Sequence, residues 1–176
     1  MTIAKGIISS YLPLAATVVK DEVADAFAGK ENYFRHVLTF SGHPVSAAAS
    51  LKNIEIIQNE NMVENSRDVG AYFKEQLEGL AGDHPLIGDV RGRGVLMGVE
   101  LVSDRETRAP VAEDVHIADK LNERFKKYGL ILRMSGNIIN IGPPICITEG
   151  EVDEIVHALD VSLWEVEGEM GIAQMA

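Results

Sequence analysis

Three places in the chain pair residue types with spacings that could do chemistry. Lys5 stands between Ala4 and Gly6 at the end of a short apolar run. Partial burial there disfavours the charged ammonium and leaves an amine for Schiff-base chemistry. The plainer alternative is a solvated lysine near a chain terminus, and local sequence alone favours it. Thr39-Phe40-Ser41-Gly42-His43-Pro44 sets two hydroxyls and a glycine before a helix start. Unpaired helical N–H groups, a positive dipole end and a glycine that permits close approach are the parts of a phosphate site. The same residues are also ordinary helix caps, and that reading is the simpler one. Arg133 follows Ile131-Leu132 and faces a turn at Gly136. Its guanidinium could grip a carboxylate through two parallel bonds, or pair with one of the 27 Asp and Glu side chains.

The other polar features read as structural. Arg91-Gly92-Arg93-Gly94 is a glycine-punctuated turn, and Asp21-Glu22-Val23 is the acidic first turn of a helix. His43, beside Pro44, is a packing or capping residue. His36, His84, His116 and His157 lack ligand spacing, so no metal site is expected. Cys146, the single cysteine, reads as buried filler. One cysteine excludes an internal disulfide framework and fits a reducing cytoplasm.

These residues need elements to position them. The 176 residues are 46% hydrophobic and 24% charged, enough for one domain or two small ones with a core. No apolar run is long enough for a bilayer span, and Met1 to Lys5 lack the order of a signal peptide. Sixteen Lys and Arg against 27 Asp and Glu give a net charge of −11, which repels phosphate backbones and excludes nucleic acid as the expected partner. Met1 to Gly6 reads as a strand end with no element to pair it, and Leu12 to Val19 as another short strand. Pro44 opens a helix to about Asn59, and Asn61 with Glu64 caps a second whose apolar stripe runs from Met62 to Leu80.

A composition shift at Gly82-Asp83-His84-Pro85 marks the expected boundary, giving segments 1–85 and 86–176. Beyond it the pattern is strand, turn, strand, helix, strand, strand, helix, a compact α+β domain. Val95 to Val102 is a strand, and Val115 to Tyr128 is a helix closed by Gly129. Ile131 to Arg133 and Ile138 to Ile141 are short strands around Ser135-Gly136-Asn137. Thr148 with Glu151 forms a capping box for the last helix, and the acidic tail beyond Glu165 is expected to fray.

Taken together, the ordered stretches are far more specific than any alone. Ile3-Ala4-Lys5-Gly6-Ile7, Ser10-Tyr11-Leu12-Pro13-Leu14 and Leu38-Thr39-Phe40-Ser41-Gly42-His43-Pro44-Val45 resemble the class III aminotransferases. Gly88-Asp89-Val90-Arg91-Gly92-Arg93-Gly94, Gly129-Leu130-Ile131-Leu132-Arg133 and Gly142-Pro143-Pro144-Ile145-Cys146-Ile147-Thr148 continue the resemblance in the same order. The nearest likeness is to the ω-amino-acid:pyruvate branch, from Thr2 to about Glu165.

The resemblance implies an α/β fold of fold type I: the end of the large cofactor domain, then a small α+β C-terminal domain. It implies pyridoxal 5′-phosphate as cofactor, an amino donor and a keto acid as substrates, and a homodimer with shared active sites. By resemblance Lys5 bonds covalently to the cofactor and later carries the proton between substrate and cofactor carbons. Thr39 matches the threonine that reaches the cofactor phosphate of the neighbouring subunit, and Arg133 the arginine that binds the substrate carboxylate.

Two departures stand out. Ser10 and Ala15 occupy positions where many members carry glycine, which reads as subfamily variation. The family's N-terminal half is absent, and with it the aspartate that pairs with the pyridine nitrogen. Asp21 lies after the lysine and is not that aspartate. Met1 therefore reads as an internal methionine of a longer protein, and the 176 residues are expected not to act alone. Two alternatives stand beside the transaminase: an aminomutase or racemase of the same family, and an inactive folded fragment that self-associates through exposed apolar surface.

Overall fold

The computed structural model describes residues 1–172, which form two compact units, Met1–Asn61 and a second beginning at Met62.

In the second unit, α3 (Met62–Asp83) repeats Val69, Phe73, Leu77 and Leu80 on one face, and all four are buried. Across from this face a hairpin forms from β3 (Ile87–Arg93) and β4 (Leu96–Asp104). Helix and hairpin meet so closely that a Cβ on Gly70 would lie 2.2 Å from the Gly94 carbonyl oxygen. Only two glycines allow that approach, and Gly94 also turns the hairpin at φ +57°. This packing explains why the units divide at residue 61 and not at the composition shift near residue 85. The apolar face of α3 is buried against the sheet that follows it.

The sheet runs β3-β4-β7-β6 in antiparallel order, with β6 (Arg133–Ser135) and β7 (Ile138–Ile141) joined through Gly136. A short β5 (Ala109–Pro110), unforeseen in the sequence, pairs with the end of β4. Met97, Val99 and Leu101 alternate into the core with Ile139 and Ile141, while Leu96 and Glu100 point away. The core is completed by α4 (Ile117–Lys127), through Ile117, Leu121 and Phe125, and by α5 (Glu149–Met170), through Val152, Leu159, Leu163 and Val166. Gly129 follows α4 at φ 85°, and Thr148 and Glu151 make both halves of the capping box.

Several local expectations change. Val90 to Arg93 extend as strand and not as turn. There a Cβ on Gly92 would meet the Leu96 carbonyl oxygen at 2.3 Å, so the glycine answers to strand pairing. Arg133 begins a strand instead of ending one. Cys146 is exposed and is not core filler. The chain past Glu165 stays helical to Met170, because Glu167 is fully buried. Its carboxylate accepts from the Leu86 N–H at 3.1 Å and meets His84 Nδ1 at 2.8 Å. Asp160 contacts the other ring nitrogen at 2.9 Å, and the Arg105 guanidinium donates to the carbonyls of Ala81, His84 and Ile87. The final four residues of the expected tail lie outside the described residues.

The first unit holds β1 (Thr2–Ala4) antiparallel to β2 (Ala15–Thr17), with Ile3 opposite Ala16. The two short strands pair with each other, where the sequence reading left the first unpaired. A five-residue α1 (Asp21–Asp25) opens on Asp21 and Glu22, and α2 spans Pro44–Asn59. Asn61 sits at φ 49°, a left-handed joint between α2 and α3 in place of an extended cap. Among the described residues no helix is long and apolar enough to cross a membrane, and no group of three metal-ligating side chains gathers.

Candidate functional site

Lys5 begins a single 3-10 turn, Lys5–Ile8, directly after β1. Its φ is 52°, in the left-handed region that a β-carbon disfavours, and Ser9 and Ser10 follow at 46° and 60°. Ser10 thus adopts a left-handed backbone that glycine enters without strain. The turn closes on itself through Ser10 N–H to the Lys5 carbonyl at 3.3 Å and Ser9 N–H to the Gly6 carbonyl at 3.4 Å. Ile8 is buried, while Lys5 is exposed and makes no ion pair among the described residues. The partial burial expected from its apolar neighbours does not arise, because Ala4 and Gly6 are small and exposed themselves.

Helix α2 holds this turn from one side. Ser46, Ser50 and Asn53 fall four and three residues apart and so share a helix face. The Ser50 hydroxyl donates to the Ile7 carbonyl at 3.1 Å. The Asn53 amide donates to the Gly6 carbonyl at 3.0 Å and accepts from the Ser9 hydroxyl at 2.6 Å. Sequence reading missed these residues. The available signal was the polar face on an otherwise apolar helix.

Thr39 lies in the turn that precedes α2, where Ser41 N–H reaches the Leu38 carbonyl at 2.9 Å. The N-cap of α2 is His43, whose side chain makes no capping bond. Neither Thr39 nor Ser41 spends its hydroxyl on another described residue, so the capping alternative has no bond to rest on. Lys5 and Thr39 line one cleft of about 940 Å³, with Ser10, Tyr11, Ser41 and Gly42 around it. Its wall offers one amine and several hydroxyls, and no carboxylate.

Arg133 belongs to the second unit and is not among the residues lining that cleft. It is exposed at the first position of β6, opposite Asn140, whose amide donates to the Arg133 carbonyl at 3.1 Å. The guanidinium makes no ion pair among the described residues, although acidic side chains outnumber basic ones in the chain. It borders a hollow of about 300 Å³ with Leu130, Asn140 and Pro143. An unpaired fork of five donors at the rim of a hollow is suited to a planar carboxylate.

A sequence profile of the family described as aminotransferase class-III matches residues 1–163. The uncharacterized aminotransferase YhxA of Bacillus subtilis (strain 168) is 41% identical over 171 residues, covering 92% of this chain and 37% of that protein. Taurine–pyruvate aminotransferase of Bilophila wadsworthia (strain 3_1_6) is 38% identical over 183 residues, covering 98% of this chain and 40% of that one. The structure of a Bacillus anthracis aminotransferase superposes with a TM-score of 0.87 at 42% identity, over 93% of this chain and 38% of that one. The chain therefore spans about two-fifths of the length of the relatives it matches.

Proposed function

Because this chain belongs to the class III aminotransferase family, we propose that it is the lysine-bearing portion of a pyruvate-dependent transaminase. Its amino donor is an amine or an ω-amino acid. The observation that carries the reading is the exposed Lys5 amine, unpaired among the described residues and lining a cleft, within a family match spanning residues 1–163. Similarity to a taurine–pyruvate aminotransferase supports pyruvate or a like keto acid as acceptor.

Lys5 and Thr39 answer two of the three demands that pyridoxal 5′-phosphate makes, Lys5 for the cofactor of its own subunit and Thr39 for the cofactor of the neighbouring one. An exposed amine suits its aldehyde, and uncommitted hydroxyls at the start of α2 suit its phosphate. The third demand is a carboxylate for the ring nitrogen, and no residue lining the cleft carries one. We therefore assign turnover to an assembly that includes more chain than these residues, a cytoplasmic homodimer with shared sites.

When bound, the cofactor supplies an electron sink for charge developing at the amino-bearing carbon. Lys5 would hold the cofactor through Nζ, and the same nitrogen, when free, would take the proton from the amino-bearing substrate carbon and deliver it to the cofactor carbon on the other side of the shared nitrogen. Thr39 would donate its hydroxyl to the phosphate of the cofactor held by the neighbouring subunit. Arg133 orients the substrate by a bidentate grip on its carboxylate.

The test is borohydride reduction after incubation with pyridoxal 5′-phosphate, with peptide mass mapping of the chain and of Lys5→Ala. A stoichiometric adduct at Lys5 that the variant lacks is the expected result. Labelling scattered over surface lysines and unchanged in Lys5→Ala would overturn the assignment of the cleft.

A further inference from the structure

We propose that Asn53 is a positioning residue that aims Lys5 into the cleft, an inference that rests on the cofactor reading above. Lys5, Ser9 and Ser10 are three non-glycine residues in left-handed backbone within six positions. Each such residue is strained by its β-carbon, so the turn persists only where its surroundings over-determine it. The constraint comes from one amide. Asn53 donates to the Gly6 carbonyl at 3.0 Å and accepts from the Ser9 hydroxyl at 2.6 Å, bridging the residue after the lysine and the first residue past the turn. Ser50 adds a bond to the Ile7 carbonyl between them.

A lysine stem is flexible, so the backbone that bears it sets where the stem starts and which part of the cleft the amine can reach. Releasing the turn lets Lys5 leave its left-handed conformation, and the direction of its Cα–Cβ bond changes with it.

The experiment uses the 176-residue chain in four forms: wild type, Asn53→Ala, Asn53→Asp and Gln58→Ala. Gln58 is exposed on the same helix and serves as the control. Two quantities are read: the share of reduced pyridoxal phosphate label carried by Lys5, and amide hydrogen exchange at Ser9, Ser10 and Tyr11. In Asn53→Ala the exchange accelerates and the Lys5 share falls, each by about tenfold. Asn53→Asp retains the bond from Ser9 and falls between, and Gln58→Ala matches wild type.

Unchanged exchange in Asn53→Ala overturns the clamp. Faster exchange with an undiminished Lys5 share overturns the aiming role and leaves a purely structural bond. Absence of selective Lys5 label in the wild type overturns the cofactor reading and the aiming role together. That failure is recognisable because it precedes any substitution.

Discussion

His84 and Glu167 are 83 residues apart in sequence, yet imidazole and carboxylate meet at 2.8 Å with neither side chain exposed to solvent. The contact ties the end of α3 to the last turns of α5. Burial pushes the His84 pKa down, but the hydrogen bonds and charges of Glu167 and Asp160 outweigh it and the net shift is upward.

A raised histidine pKa fixes the sign of a pH dependence. The folded unit binds its proton at pH values where the unfolded chain, with a pKa of about 6.5, has lost it. The stabilisation is complete below about pH 6.5 and is lost as pH rises through the folded-state value. Urea midpoints measured from pH 6 to 9 should therefore fall more for wild type than for His84→Gln. A wild-type midpoint that rises relative to the variant across that window would mean that His84 is buried neutral. Glu167→Gln at pH 6 should cost about 3 kcal/mol, because it removes the fully buried carboxylate and leaves His84 with only the partly exposed Asp160.

Two glycines of α3 separate packing from propensity. Gly70→Ala places a methyl group 2.2 Å from the Gly94 carbonyl oxygen, whereas Gly79→Ala meets nothing within 4 Å. The first should destabilise the second unit by about 3 kcal/mol through overpacking. The second should stabilise it by about 0.5–1 kcal/mol through helix propensity. Equilibrium unfolding of both variants checks the pair, and equal effects would contradict the close approach.

Arg133→Gln removes a guanidinium that makes no ion pair among the described residues. Stability should stay within about 0.5 kcal/mol of wild type. On the proposed reading as a pyruvate-dependent transaminase, the KM of the full assembly for pyruvate should rise by about tenfold or more, since a charge-assisted bond is lost. A stability loss with unchanged KM would assign the residue to the fold instead.

Legibility in the sequence followed the range of the interactions involved. The start of α2 at Pro44 and the Thr148–Glu151 capping box are written within four residues, and both were readable. Gly92 looked like a turn residue because its reason, contact with the neighbouring strand, lies outside its local window. His84 read as bland because its partners arrive from the far end of α5. Lys5 and Thr39 were locally ambiguous and gained meaning from the ordered stretches around them. Ser50 and Asn53, more than forty residues from the turn they hold, had only a faint polar periodicity to mark them.

Helix α5 also sets the order in which the second unit is finished during synthesis. The sheet face built by Val99 and Ile139 leaves the ribosome before Leu159, Leu163 and Val166, which belong to the same core. Until Glu167 emerges, His84 has lost its deepest partner and the Leu86 N–H has no carboxylate to meet. The nascent unit therefore carries a sheet still lacking the cover of α5, and a His84 still lacking Glu167, from the emergence of β7 until α5 is complete. That interval is when it most needs a chaperone.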